Sequence, residues 1–201
     1  MAKIKKVRLQ VPCSWLEDGT LNDKKFSYLI YLAILKNSKR NQNETDRYKY
    51  DVTISNIKRA TGLDYNTCKN KLNYMIEKGY ITIDENNIAY IHRVDTSKYV
   101  LLSEEEIELL LGMGSKSEYA IRLYIYLKKL EYPTKMQGTK IKPSQECIAN
   151  RIGLSPTNRL KIQRITDMLR DNHLIVTKRY WLQDDDKSPK LIMEYILIKS
   201  N

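Results

Sequence analysis

The stretch SNIKRATGLDYNTCKNKLNYMIEKGYITIDENNIAYIH, residues 55–92, decides the fold of this chain. Its pattern predicts a short helix through Ala60 that breaks at Gly62, and a longer helix over Tyr65–Lys78 with Asp64 as the N-cap. Two short apolar runs on either side of residues 84–87 then predict the strands of a β-hairpin. The predicted order is helix, turn, helix and hairpin.

A similar order recurs about ninety residues later. Ile57, Gly62 and Leu63 correspond to Ile148, Gly153 and Leu154 at an offset of 91, and Met75–Ile81 corresponds to Met168–Leu174 at an offset of 93. The two offsets differ by two residues, and this alignment places those two additional residues inside the second long helix. Gly79 and Asn172 then fall at the ends of the long helices, where a left-handed residue is expected. The matched order predicts an internal repeat.

A long apolar helix precedes each copy. The first is predicted to begin at Asn22 or Asp23 and to be central in the core, and the second covers Ser117–Leu130, with Pro133 after its end. Residues 36–50 have almost no apolar side chains apart from two tyrosines and are predicted to form a polar loop, which is either solvated or lies along a phosphate backbone.

In the second copy, Ser144 is predicted to cap a short helix that ends at Arg151. Ser155-Pro156 is predicted to start the long helix, with serine as N-cap and proline at the first helical position. Leu174–Trp181 and Leu191–Lys199 are predicted strands, and Gln183–Lys190 is predicted to be a charged wing between them.

The remaining segments complete a mainly α fold with small β-hairpins, in the α+β class. Val7–Val11 and Tyr99–Leu102 are predicted short strands, and Ser103 is predicted to cap a helix whose first turn is acidic. Arg93–Lys98 is the predicted linker, so the chain is expected to form two units, residues 1–95 and 99–201.

The segments GLDYNTCKNKLNYMIEKGYI (62–81) and GLSPTNRLKIQRITDMLRDNHLI (153–175) resemble the winged helix-turn-helix superfamily. The resemblance covers residues 22–92 and 115–199. Two such units in a basic chain of this size resemble the replication initiators of plasmids and phages that are built from tandem winged helices, a likeness of architecture alone.

The charge of the chain favours a polyanionic partner. Lys and Arg number 35 against 24 Asp and Glu, which gives a net charge of +11. Nucleic acid is the first expectation and an anionic membrane the second. A composition generically rich in lysine accounts for part of the charge but not for its clustering.

The resemblance implies that the second helix of each unit enters the major groove. In the first unit, Asn66, Asn70 and Asn73 form an outward stripe suited to adenine, and Thr67 and Lys69 suit phosphates. The alternative is that asparagine is simply frequent on the surface of this chain.

The second unit is the more basic. Its predicted DNA-binding residues are Thr157, Asn158, Arg159, Lys161, Gln163, Arg164, Lys178, Arg179, Lys187 and Lys190. Arg159 and Arg164 suit guanine or phosphate. Leu160 is also outward by the helical count, where it would touch a thymine methyl group or a dimer partner, unless the helix phase differs.

Catalytic signatures are absent from the sequence. His92 and His173 have no carboxylate or cysteine spacing around them, no phosphate-binding loop motif occurs, and Asp184–Asp186 point in different directions along the chain. Cys13, Cys68 and Cys147 show neither zinc nor disulfide spacing. We therefore expect no enzyme activity, no metal and no cofactor.

The expected function is sequence-specific binding of double-stranded DNA. The biological role ranked first is the initiation of plasmid or phage replication, and the role ranked second is transcriptional repression by a protein without a ligand-binding domain. A winged-helix adaptor in a replication or chromosome-segregation complex is the alternative from another class. Expected partners are DNA, replication proteins and, for a longer repeat array, a second copy of the chain. No run approaches a membrane span, no small-molecule ligand is expected, and a cytoplasmic location is expected.

Overall fold

The computed structural model describes residues 8–13, 26–36, 39–40, 48–51, 53–85, 88–91, 99–184 and 187–198. The helices are α1 (Tyr28–Lys36), α2 (Ile54–Thr61), α3 (Tyr65–Glu77), α4 (Glu104–Gly112), α5 (Glu118–Met136), α6 (Gln145–Ile152) and α7 (Arg159–Asp171). The strands are β1 (Arg8–Pro12), β2 (Lys39–Arg40), β3 (Tyr48–Asp51), β4 (Ile81–Ile83), β5 (Ile88–Ile91), β6 (Tyr99–Ser103), β7 (Ile175–Asp184) and β8 (Lys187–Leu197). The strand pairs among these residues are all antiparallel, and together with the helices they confirm the α+β class.

Helix α1 lies at the centre of the hydrophobic core, as predicted. Every residue from Tyr28 to Leu35 is buried, so the helix contacts apolar neighbours on all sides. The predicted start at Asn22 or Asp23 lies outside the described residues.

An ionic junction joins the start of α1 to the start of α5. The Glu118 carboxylate accepts hydrogen bonds from the Ser27 hydroxyl (2.8 Å) and from the backbone amides of Tyr28 (3.0 Å) and Leu29 (3.1 Å). Arg122 donates from Nε to Glu118 (3.1 Å) and from Nη2 to the Phe26 carbonyl (3.1 Å). A side chain of the second half therefore satisfies the first amides of a helix in the first half.

Strand β1 provides a second link between the halves. It pairs with β6 over the register from Arg8↔Ser103 to Pro12↔Tyr99. The predicted division into units 1–95 and 99–201 stays a prediction, but this strand pair crosses it.

Helices α2 and α3 form a helix-turn-helix as predicted, with Thr53 and Asp64 as N-caps and Gly62 in the left-handed conformation (φ 68°) between them. The hairpin β4–β5 follows, and β3 pairs with β5 to widen the sheet. The predicted polar loop over residues 36–50 was therefore wrong in part, because β2 and β3 lie within it. Strand β2 pairs with β3, and β3 pairs with the distant strand β5, which a local polar composition does not reveal.

The second half repeats this order with a longer hairpin. Strands β7 and β8 contain 10 and 11 residues, against 3 and 4 in β4 and β5. The predicted wing loop Gln183–Lys190 was wrong in extent, because the strands continue through most of it.

Backbone hydrogen bonds in the two halves correspond closely. Tyr80 N–H donates to the Met75 carbonyl at the end of α3, and Leu174 N–H donates to the Leu169 carbonyl at the end of α7, with an offset of 94. Strand pairs also correspond: Tyr50 lies opposite Ala89, four residues before α2, and Ile141 lies opposite Tyr195, four residues before α6.

Two details of the predicted alignment were wrong. Helices α3 and α7 both contain 13 residues, and the extra length lies in the turn before α7, which has six residues (153–158) against three (62–64). The left-handed residue after α7 is His173 (φ 55°), at the position of Gly79 (φ 70°), whereas Asn172 has φ −91°.

Helix α5 continues through Pro133 to Met136, so the predicted end at Leu130 was wrong. Proline removes one backbone donor from the helix. The Thr134 hydroxyl donates to the Leu130 carbonyl (2.7 Å) and supplies a hydrogen bond to the turn that the proline disturbs. No helix in the part of the chain that the structure describes is long and apolar enough to span a bilayer.

Candidate nucleic-acid interface

Helix α3 presents an amide-rich outer face. Its inner face buries Cys68, Leu72 and Met75 in the core. Asn66, Asn70 and Asn73 lie on the opposite face and are all exposed, as the predicted stripe requires. Lys69 is also exposed, beside this stripe.

The start of α3 is capped from within. The Asp64 carboxylate accepts from the Thr67 backbone amide (2.9 Å) and from the Thr67 hydroxyl. These hydrogen bonds lower the pKa of Asp64 and hold it ionised. The Thr67 hydroxyl has a single hydrogen, so donation to a phosphate, as predicted, requires breaking this bond.

Helix α7 begins at Arg159, so the predicted start at Ser155-Pro156 was wrong. Residues 155–158 form a turn closed by a hydrogen bond from Asn158 N–H to the Ser155 carbonyl (2.9 Å). The hydroxyls of Ser155 and Thr157 also contact each other at 2.9 Å. Thr157 and Asn158, predicted on the long helix, therefore lie in the exposed turn that precedes it.

The outer face of α7 differs in chemistry from that of α3. Ile162, Ile165, Thr166 and Leu169 are buried, which leaves Leu160, Arg164 and Asp167 pointing away from the core. Leu160 is 73% exposed, which confirms its predicted outward position. Met168 is only partly buried, and Thr166 lies on the inner face.

The other predicted residues of α7 lie on its flanks. Arg159 and Gln163 are exposed on one side. Lys161 lies on the other side, with its Nζ 4.1 Å from the centre of the Tyr119 ring on α5. This cation–π contact holds the ammonium group beside α5.

The long hairpin carries further positive charge. Lys178 and Arg179 are exposed and lie on opposite faces of β7 because successive strand residues alternate. Lys178 lies opposite Glu194, whose carboxylate binds Lys140 at 3.1 Å. Lys187 and Lys190 belong to β8, but their side chains lie outside the described residues.

Two exposed apolar side chains on this hairpin were missed from the sequence. Trp181 is 67% exposed and Leu191 is 49% exposed, and they face each other across β7 and β8. Apolar and polar residues do not alternate along β7, so the sequence did not show which of its apolar side chains the core leaves exposed.

Basic residues on the shorter helices were also missed. Lys58 and Arg59 on α2 and Arg151 on α6 are exposed. In DNA-binding helix-turn-helix proteins the first helix crosses the phosphate backbone, so these residues suit phosphate contacts. Their signal in the sequence was basic residues in the last turn of each predicted short helix, two in the first helix and one in the second.

The buried charged groups of the described residues form structural contacts. Glu106 makes a capping box with Ser103 and also accepts from the Tyr124 hydroxyl and from Lys128 (2.7 Å). No group of three or more His, Cys, Asp or Glu side chains suited to a metal occurs in the described ranges.

Comparison with known proteins gives no assignment: no protein-family model matches this chain, and no curated protein shows significant similarity to it.

Proposed function

We propose that this protein binds double-stranded DNA through two winged-helix units in pseudo-repeat, α2–α3–β4–β5 and α6–α7–β7–β8, and has no enzymatic activity of its own. Each unit places its long helix in the major groove and its hairpin beside the adjacent backbone.

The matching residue positions of the two halves carry this proposal. At an offset of 94, buried positions of α3 and β4 meet buried positions of α7 and β7: Cys68 and Ile162, Leu72 and Thr166, Met75 and Leu169, Ile81 and Ile175. Both copies therefore pack in the same way and leave one face of the long helix exposed. A ligand surface that is repeated in the two units explains this arrangement.

The charge of the second unit supports DNA as that ligand. Arg159, Lys161, Arg164 and Arg170 on α7 outnumber Asp167 and Asp171, and Lys178 and Arg179 lie exposed on the hairpin. Cations on both the long helix and the hairpin suit two contacts with one duplex.

Initiation of plasmid or phage replication is the role we rank first, on the resemblance to tandem winged-helix initiators, and transcriptional repression is second. Either role places the protein in the cytoplasm. An initiator would also bind replication proteins, and a longer repeat array would be covered by two copies of the chain.

A protein-interaction adaptor is the second candidate function. It is favoured by the exposed apolar side chains Leu160, Trp181 and Leu191, which a purely phosphate-binding surface does not need. An adaptor of this kind would bind its partner through these residues without DNA.

The test is duplex binding across a salt series by fluorescence anisotropy. We expect affinity to fall with salt by about 0.9 log units per log unit of salt for each phosphate contact. The double variant R159A/R179A should reduce this slope by about 1.8 if both arginines contact phosphates.

The matched control is K116A/K135A, which removes two exposed cations outside the proposed interface. An equal loss of slope in the control would mean that net charge alone attracts the duplex. Failure of the wild-type protein to bind any duplex at low salt would refute DNA binding and favour the adaptor.

A further inference from the structure

We propose that the two long helices read different base pairs, so that the DNA site is a composite of two unlike halves: α3 reads A·T pairs and α7 reads G·C pairs. This inference rests on the proposed DNA binding and specifies its target.

Equivalent outward positions of the two helices can be compared directly. The offset of 94 that aligns the buried residues also aligns Asn66 with Leu160, Asn70 with Arg164 and Asn73 with Asp167. The first and third positions of each set are seven residues apart, about 10 Å along a helix at ~1.5 Å per residue. That length matches roughly three base pairs of stacked DNA at ~3.4 Å each.

The α3 side chains match adenine. Each of Asn66, Asn70 and Asn73 carries both a donor and an acceptor at the end of a short side chain. Adenine presents an acceptor at N7 and a donor at N6 in the major groove, so one asparagine bonds both atoms. Their exposed positions on one face make three successive contacts of this kind available.

The outward side chains of α7 do not match adenine in this way. Arg164 only donates, so in the major groove it matches the two acceptors of guanine, O6 and N7. Asp167 only accepts, so it is repelled by phosphates and by guanine O6, and it suits the amino group of cytosine. Its carboxylate is held by Arg170 Nη2 at 3.0 Å, which fixes its direction three residues beyond Arg164.

Leu160 adds an apolar position to this set. Its side chain is 73% exposed at the start of α7, where Asn66 stands in α3. It forms no hydrogen bond to a base edge, so its contact is the methyl group of thymine at the border of the G·C half.

Two helices that read identical half-sites would carry the same chemistry at equivalent positions. Here three amides are replaced by an apolar group, a cation and an anion, while the buried positions beside them remain suited to the core. The difference therefore lies in the surface that faces the ligand and not in the packing.

The experiment is selection from a random duplex library followed by sequencing, with the full chain as wild type, N70A and R164A. Alanine is the best helix former and both positions are exposed, so the variants should keep the fold, which circular dichroism verifies. The matched controls are N150A and K135A, which remove an exposed amide from α6 and an exposed cation from α5.

We expect the wild type to select one A·T-rich half and one half with guanine and cytosine. N70A should lose preference for adenine at one position only, and R164A should lose preference for guanine at one position only, each by about 5- to 150-fold. The variant N70R should add a guanine preference to the A·T half, and the controls should leave the selected sequence unchanged.

The inference is overturned if the wild type selects two copies of one half-site or binds duplexes without sequence preference. It is also overturned if R164A weakens all sequences equally, which would make Arg164 a phosphate contact. In each of these cases DNA binding itself stands. If the protein retains no duplex at all, the proposed function is refuted as well.

Discussion

Replacing Glu118 by alanine tests whether the junction between α1 and α5 stabilises the whole fold. The Glu118 side chain is 19% exposed and that of Arg122 is 4% exposed, so the pair is largely removed from water. The substitution deletes the carboxylate that Arg122 contacts and also the acceptor for the Tyr28 and Leu29 amides.

The expected loss follows from these contacts. Removing one partner of a buried ion pair costs about 3–5 kcal/mol, and losing a helix cap costs about 1 kcal/mol. The two effects overlap, and Glu118 is partly exposed, so we expect the free energy of unfolding to fall by about 3 kcal/mol. Urea unfolding followed by circular dichroism measures it.

Two further variants make the prediction specific. E118A/R122M removes both charges, so no unpaired charge stays buried, and only the cap and the hydrogen bond from Arg122 to the Phe26 carbonyl are lost. The decrease should shrink to about 2 kcal/mol. The control E108A removes a surface pair, because Glu108 contacts Lys36 at 3.1 Å with side chains 58% and 41% exposed. That control should change stability by at most about 1 kcal/mol. If E118A proves no worse than E108A, the junction contributes nothing and the reasoning is refuted.

The end of α7 and the buried tyrosines give two more predictions. Because His173 has φ 55° where Gly79 has φ 70°, H173G should raise the free energy of unfolding and G79A should lower it, each by about 1 kcal/mol, in urea titrations; equal behaviour of the two variants would contradict this account. Burial raises the pKa of Tyr195 to about 12, and burial beside Glu106 raises the pKa of Tyr124 well above its ordinary value. These tyrosines keep their protons in the folded protein, whereas tyrosines in the unfolded chain lose them near pH 10. The free energy of unfolding should therefore be unaffected below about pH 9. As the pH rises from 10 towards 12, it should fall by about 1.4 kcal/mol per pH unit for each such tyrosine. Absorbance of tyrosinate at alkaline pH, compared with urea unfolding at the same pH, measures this, and unchanged stability up to pH 12 would show that these rings ionise in the folded state.

Features set by neighbouring residues were predictable from the sequence. The N-caps Asp64, Ser103 and Ser144 are confirmed, because each hydroxyl or carboxylate accepts a hydrogen bond from the backbone amide three residues later. The exposed face of α3 was also predictable, since it is the complement of a buried stripe with helical spacing.

The wrong start of α7 shows where local chemistry is ambiguous. Proline has nearly the same φ at the first position of a helix as at the second position of a β-turn, and serine precedes it favourably in both. Ser155-Pro156 therefore fits either structure, and here the turn is formed. The consequence for the candidate interface is that Thr157 and Asn158 precede the helix rather than belonging to it.

Features that depend on distant residues could not be predicted. The sequence around Glu118 indicated only a helix start, because the partners of Glu118 (Ser27 and Tyr28) and of Arg122 (Phe26) lie about ninety residues earlier. The exposure of Trp181 and Leu191 likewise depends on how far the core extends along the hairpin. Both cases turn on three-dimensional packing, for which periodicity carries no signal.

The pairing of β1 with β6 has a consequence for synthesis on the ribosome. Arg8 is translated 95 residues before its partner Ser103. At about 5–20 residues per second, the nascent β1 remains without that partner for roughly 5–20 s. During this interval its backbone groups and the side chains of Leu9 and Val11, which are buried in the finished protein, are open to other contacts. Closure of this sheet is therefore a late step that couples the completion of the first half to the arrival of the second.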